Sequence, residues 1–278
     1  MTAAITAKTA LCGILLHPAG HTRSPAMHNA AFREMGIDAV YLAFDVAPEG
    51  LREALRGARR LGTRQLAVSV PHKVAVLDHL DEVDPVAEAI GAVNTITLEG
   101  ERLRGTNTDW QGAVRALESE TTIDGKHAVV LGAGGAARAV VYGLRASGAR
   151  VTVLNRTIER ARSLAAQLGT EAAGSLEELG DLPHDILVNT TSVGLRSDAS
   201  PVAAESLRPD SVVMDIVYEP ESTRLIQDAK ARGARTLGGK WMLVHQAVEQ
   251  IRAWTGQEAP LETMAAAFDA AGKQGPPS

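Results

Sequence analysis

Val129-Val130-Leu131-Gly132-Ala133-Gly134-Gly135-Ala136-Ala137-Arg138-Ala139 decides the fold of this 278-residue chain. The apolar, β-branched run reads as the end of a buried strand, and the Ala-rich run after the glycines as the start of a helix. Each small residue between them has a reason. Gly132 permits a tight turn, Gly134 lets the backbone approach a ligand, and Ala137 lets the helix pack closely on the strand. The first N–H groups of that helix then face an anion. In its strand-turn-helix context the motif reads as the pyrophosphate cradle of a dinucleotide site rather than as a merely structural turn.

The next strand downstream, Val151-Thr152-Val153-Leu154, ends where NAD-binding domains carry an acidic residue for the ribose hydroxyls. Here Asn155-Arg156-Thr157 follows instead. A carboxylate would repel a 2′-phosphate, whereas Arg156 offers a planar charged fork and Thr157 can cap a helix. Arg160 stands one turn further on. This favours NADP over NAD, the plain alternative being two solvated arginines at a helix start. Further strands are expected at His127–Leu131, Arg150–Leu154, Ile186–Asn189, Val212–Ile216 and Arg235–Leu237, separated by segments able to hold crossover helices.

Upstream, strands are expected at Leu11–Leu16, Tyr41–Val46, Leu66–Val70 and Ala92–Leu98. Helices are expected at Pro25–Met35, Pro48–Leu61 and Val74–Leu80, and another begins near Asp109–Ala116. Beyond Gly238-Gly239 two more are expected, Trp241 to about Trp254 and Leu261–Ala271. The whole reads as α/β with a largely parallel sheet in the second half.

Composition narrows the function classes. Aromatics are 3% of the chain, so the core must be aliphatic. A net charge of -5 with no Lys/Arg-rich run leaves no electrostatic footprint for nucleic acid or an anionic membrane. No apolar run approaches the ~18–20 residues of a spanning helix. The single cysteine, Cys12, excludes an intramolecular disulfide and suits a reducing, cytoplasmic setting. Eight histidines give no metal set, because Pro18 and Gly20 spoil a one-face helical spacing of His17 and His21. No metal is expected.

Polar residues cluster at turns that follow apolar strands in the first half: His21-Thr22-Arg23-Ser24-Pro25-Ala26-Met27-His28-Asn29, Ser69-Val70-Pro71-His72-Lys73, Gly91-Ala92-Val93-Asn94-Thr95 and Gly105-Thr106-Asn107-Thr108-Asp109. Taken singly these also read as N-caps and solvated loop charges. With the glycine turn, Asn155-Arg156-Thr157, Asn189-Thr190-Thr191-Ser192, Asp215 to Pro220 and Gly239 to Gln246, they occur in the order of the shikimate dehydrogenase family, which the chain resembles over nearly its full length. Thr22, Ala67, Ser69 and Leu195 depart from that family's usual Ser, Asn, Thr and Met, and Trp241 brings bulk to a position usually small.

The resemblance implies a substrate-binding catalytic domain at 1–112, a doubly wound Rossmann-type NADP domain at 113–239, and C-terminal helices at 240–278 that return to the first domain. It implies Lys73 and Asp109 as the catalytic pair, and Thr22, Ser24, Ser69, Asn94, Tyr218 and Gln246 as ligands of a small hydroxylated ring acid. The implied cofactor residues are Gly132, Ala133, Gly134, Gly135, Ala136, Asn155, Arg156, Thr157, Arg160, Thr190, Ile216, Gly239 and Met242. The expected reaction is reversible NADP-dependent reduction of 3-dehydroshikimate to shikimate, a step toward aromatic amino acids. A quinate/shikimate dehydrogenase of broader range and a non-catalytic nucleotide sensor are the competing expectations. Lys73 could donate a proton or act as a fixed charge, and the chain could be a monomer or a homodimer.

Overall fold

The structure, a computed structural model, describes residues 5–20 and 22–273. His21 and the tail Gly275-Pro276-Pro277-Ser278 lie outside the described residues. The chain forms two compact units, one built from the residues up to Thr108 and from Gln246 onward, the other from Asp109–His245.

The first unit holds a six-stranded sheet of order β2-β1-β3-β5-β6-β4. Its strands are β1 (Ala10–Leu16), β2 (Ala39–Asp45), β3 (Gln65–Val68), β4 (Glu82–Val83), β5 (Thr95–Glu99) and β6 (Arg102–Thr106). β1 runs parallel to β2 and β3, while β5 runs antiparallel to both β3 and β6. That reversal matters. It brings the start of β5 to the sheet edge where β1, β3 and β6 end, so Val68 N–H donates to the Asn94 carbonyl, Ser69 N–H to Leu15 and Asn94 N–H to Thr106.

Around this sheet lie α1 (Ser24–Met35), α2 (Leu51–Arg60) and α3 (Pro85–Ile90). α1 has Pro25 in its first turn and stops at Gly36 in the left-handed region, φ 66°. The expected helix at Val74–Leu80 is only a 3-10 segment, Ala75–His79. Five residues close too few i→i+4 bonds to offset nucleation. From the far end of the chain, α9 (Leu261–Gly272) buries Met264, Ala265 and Phe268, and Thr263 bonds the Glu34 carboxylate of α1. The unit's few aromatics gather here. Tyr41 stacks on His28 at 4.0 Å, and Phe32 meets Trp254 edge-on.

The second unit is an all-parallel sheet of order β12-β11-β10-β7-β8-β9. Its strands are β7 (His127–Leu131), β8 (Arg150–Leu154), β9 (Ala172–Gly174), β10 (Ile186–Asn189), β11 (Val212–Asp215) and β12 (Arg235–Gly238). This is the doubly wound order of dinucleotide-binding domains, with its reversal between β7 and β10. α4 (Asp109–Glu118), α5 (Gly135–Ala146), α6 (Ile158–Leu168) and α7 (Arg224–Ala231) accompany it, and α8 (Gly239–Thr255) begins at the end of β12. Val130, Val140, Leu144, Val153 and Val188 are fully buried in an aliphatic core, each worth roughly 1.5–3 kcal/mol on burial.

Registers align one row across the whole sheet: Gly174, Leu154, Leu131, Asn189, Asp215 and Gly238 are successive partners. It lies at the carboxyl edge, where ligands of open parallel sheets bind. The residues just past it on five strands are Asn155, Gly132, Thr190, Ile216 and Gly239.

Candidate functional sites

In the second unit, five of the expected cofactor residues therefore share one edge. Gly132 has φ +111°, and a Cβ there would stand 2.6 Å from Thr190 Oγ1, so both its backbone and its surroundings require glycine. The Thr190 hydroxyl meanwhile donates to the Leu131 carbonyl at 2.6 Å. Gly134, the N-cap of α5, is the opposite case, since a Cβ there would meet no atom within 4 Å. Nothing in the chain itself demands glycine at 134, and the open space above it suits a close-lying phosphate. Ala133, Gly135 and Ala136 complete the turn and are half-buried.

Arg156 and Arg160 are exposed beside the start of α6. Asn155 Nδ2 donates to the Thr157 carbonyl at 2.9 Å, bracing this turn. Thr157 is the N-cap residue of α6, but its side chain makes no capping bond, in contrast to the sequence expectation. Gly239 packs so closely on Ile216 that a Cβ would lie 2.2 Å from the Ile216 carbonyl oxygen. Met242 is buried, with Trp241 packed partly against the same core and the Lys240 ammonium 5.0 Å from the Trp241 ring centroid. Tyr218 is half-buried in the loop after β11. Asp109 is 4% exposed at the first residue of α4, where the positive end of the helix dipole favours a carboxylate.

In the first unit the sheet edge carries Ser69 and Asn94 directly. Asn94 is 1% exposed, and its amide is committed on every side. Oδ1 accepts from Thr108 N–H at 2.8 Å and the Thr95 hydroxyl at 2.8 Å. Nδ2 donates to Thr108 Oγ1 at 3.0 Å and Gln246 Oε1 at 3.2 Å. Thr108 Oγ1 in turn donates to the Gln246 carbonyl at 3.0 Å, and Gln250 Nε2 to the Asn94 carbonyl at 3.1 Å. Two donors and two acceptors exhaust an amide. To touch a ligand, Asn94 must exchange or share one of these partners.

Lys73 lies in the turn after β3, half-buried. His72 is 1% exposed and its Nε2 bonds the Val46 carbonyl at 2.7 Å, while the Lys73 carbonyl accepts Val93 N–H at 2.8 Å. The turn carrying Lys73 is thus tied to the segment just after β2 and to the one just before β5. Thr22 and Ser24 sit at the start of α1. Arg23, not either hydroxyl residue, is the N-cap, and Thr22 Oγ1 accepts from Ser24 N–H at 3.3 Å. Ala67 is a core residue of β3 at 3% exposure, paired with Thr95.

His72, Thr95, Thr108, Asn189 and Asp215 were not among the expected site residues. The His72 and Thr108 signals were adjacent to residues that were, while the bonds that matter span 14 to 152 positions.

Comparison with known proteins decides the family. Residues 14–96 match the shikimate dehydrogenase substrate binding domain, 115–202 the shikimate / quinate 5-dehydrogenase domain, and 239–267 the shikimate 5′-dehydrogenase C-terminal domain. The chain belongs to the shikimate dehydrogenase family. A relative named shikimate dehydrogenase (NADP(+)), from Thermococcus kodakarensis, is 48% identical over 252 residues, covering 90% of this chain and 92% of its own. The crystal structure of the Thermus thermophilus shikimate 5-dehydrogenase in complex with NADP(H) and shikimate is 40% identical with a TM-score of 0.89, covering 94% and 99% of the two chains. A 5-ketofructose reductase of Gluconobacter sp. is 38% identical with a TM-score of 0.85, covering 96% and 100%.

Proposed function

We propose that the chain catalyses reversible NADP-dependent reduction of 3-dehydroshikimate to shikimate. The observation that carries this reading is the continuous likeness to enzymes named shikimate dehydrogenase (NADP(+)), 44–48% identical over at least 88% of the chain. The two units supply the parts. Gly132 to Ala136 and the start of α5 hold the pyrophosphate, Thr190, Ile216, Gly239 and Met242 border the nicotinamide end, and Asn155, Arg156, Thr157 and Arg160 hold the 2′-phosphate ribose. NADPH, when bound, supplies the hydride.

Thr22, Ser24, Ser69, Asn94, Tyr218 and Gln246 hold the ring acid through its hydroxyls and carboxylate. Lys73 stands at the reacting oxygen, where a positive charge or a proton stabilises the developing alkoxide, and Asp109 orients it. The reading places the enzyme in the cytoplasm as a monomer or homodimer, and no helix of the described residues is long and apolar enough to cross a membrane.

A broader quinate/shikimate specificity is favoured by one observation. At Ala67 the family's usual Asn is replaced, and the side chain is packed into the core of β3 beside the Ser69 turn. Steady-state kcat/KM for shikimate and quinate, each with NADP and NAD, tests both readings. Shikimate with NADP should lead by about tenfold or more, the scale on which paired hydroxyl recognition discriminates. Quinate leading would favour the broader enzyme, and no turnover with either acid would overturn the proposal.

A further inference from the structure

We infer that Asp215 is a positioning residue for this reaction, fastening the loop after β10 to the loop after β11 and so setting the places of Thr190, Ile216 and Tyr218. The inference rests on the roles just proposed for those three residues. Asp215 ends β11 and is fully buried, as is its register partner Asn189 at the end of β10. Asp215 Oδ1 accepts from Asn189 Nδ2 at 2.9 Å and from Val217 N–H at 3.0 Å, and Oδ2 accepts from the Thr223 hydroxyl at 2.7 Å. Asn189 carries the tie onward. Its Oδ1 accepts from both Thr191 N–H at 3.0 Å and Thr191 Oγ1 at 2.7 Å, and its Nδ2 also reaches the Val193 carbonyl at 3.3 Å.

Thr223, also fully buried, accepts Ile226 N–H at 3.3 Å as the N-cap of α7, so the far end of the second loop is anchored to the same carboxylate. A second clasp joins the two loops at their outer ends. Arg196 N–H donates to the Glu219 carbonyl at 2.9 Å and Arg196 Nε lies 3.4 Å from Glu219 Oε1. Arg196 does this at φ +50°, a conformation that costs a non-glycine residue.

Stability does not single out a carboxylate here, although it satisfies three buried donors. Burial pushes the Asp215 carboxyl up to about 6 despite its three donors, and a buried charged network replaced as a whole by apolar side chains commonly costs no stability. The four row positions other than Asn189 and Asp215 are Gly or Leu. What the carboxylate adds is direction. Three donors converging on two oxygens fix the exits of both chains from the sheet, one residue before Thr190 and Ile216.

The test uses full-length Asp215→Ala, Asp215→Asn and Asn189→Ala. It reads KM for NADP and for shikimate, kcat, the urea midpoint, and amide hydrogen exchange of segments 190–196 and 216–223. Asp215→Ala and Asn189→Ala should each raise both KM values, lowering kcat/KM by about tenfold or more, the size expected for a lost bond to a buried charge. Asp215→Asn, which keeps one acceptor oxygen for Asn189 and Val217, should fall between them and wild type. Asn189→Ala should also speed exchange in both segments at once. A shifted urea midpoint with unchanged KM values would make the network merely structural and overturn the inference. If Asp215→Ala does not fold, Asn189→Ala and Asp215→Asn decide on the same criteria. Wild-type protein inactive on shikimate would instead remove the proposed function, while faster exchange confined to one segment would remove the linkage.

Discussion

The two units hold their proposed ligand residues by different means. In the second, the backbone does it: five of the expected cofactor residues each stand one step past a single register row, and Gly132 is dictated by its φ and by Thr190. In the first, side chains do it. Asn94, Thr108 and Gln246 come from three distant stretches and are cross-linked through one exhausted amide. A site written in strand ends is addressed by local motif. A site written in side-chain cross-links needs the tertiary structure before its logic is visible.

The buried titratable groups sharpen the contrast. His28, in the first unit, is pushed down to about 4, chiefly by burial, with its Nδ1 bonded to the Ser24 carbonyl. Asp215, in the second, is pushed up to about 6. Both environments favour the neutral form, yet the pH responses oppose each other.

The largest expected effect separates chemistry from binding. Lys73→Ala should lower kcat by ~10²–10⁴ while NADP affinity, followed by fluorescence titration, stays near wild type. A variant retaining more than about a tenth of wild-type kcat would remove Lys73 from the catalytic machinery.

Acid stability should distinguish the units next. Unfolded His28 titrates near 6.5 and folded His28 near 4, so between those values the unfolded chain binds more protons and stability is lost as pH falls. The loss reaches about 3 kcal/mol by pH 4. For Asp215 the folded state binds the extra proton between about 3.8 and 6, so the same acidification adds stability. From pH 7 to 5, amide protection factors, which divide out the pH dependence of intrinsic exchange, should therefore fall around α1 and β2 and not around β10 and β11. His28→Gln should flatten the first response; an unchanged slope in that variant would show that other groups govern it.

Cofactor selectivity comes third. Arg156 and Arg160 replaced together by Ala should raise KM for NADP and leave KM for NAD nearly alone, two screened charge-assisted contacts amounting to roughly a hundredfold. An NADP/NAD ratio of kcat/KM kept within about threefold would make them ordinary surface charges. The smallest effect is expected from Thr108→Val, which removes a hydroxyl and little volume. KM for the ring acid should rise by about three- to tenfold with KM for NADP unchanged. A rise in both would blur the division drawn between the two units.

Much of the second unit could be read directly, because its strands are short apolar runs closed by glycine or polar turns; β7, β8 and β10 have the bounds expected from pattern alone. The first unit was harder. β4 is two residues long, α3 six, and β6 is Arg102-Leu103-Arg104-Gly105-Thr106, too charged to stand out as a strand although Leu103 is fully buried. The strand expected from Ala92 begins only at Thr95, since Gly91 ends α3 at φ 70° and Asn94 turns its side chain toward Thr108. Thr108 was in view within Gly105-Thr106-Asn107-Thr108-Asp109, yet its partners lie 14 and 138 residues away, and no periodicity encodes such a bond. Asp215 was hidden for a related reason: a carboxylate ending an apolar strand looks like a turn residue until its burial is known.

The register row has a consequence for how this chain tolerates changes of length. Five of the proposed cofactor residues are counted from a strand's last residue, so an insertion in the turn that leads into a strand alters only the path taken around the sheet. The turns at the opposite edge, such as Arg208 to Asp210 before β11 and Gly233 before β12, can lengthen without moving any of the five positions. A single residue inserted just after Leu131, Asn189 or Asp215 would instead push Gly132, Thr190 or Ile216 off the edge. Length variation among natural relatives of the nucleotide unit should therefore collect at the amino edge of its sheet and be nearly absent from the carboxyl edge.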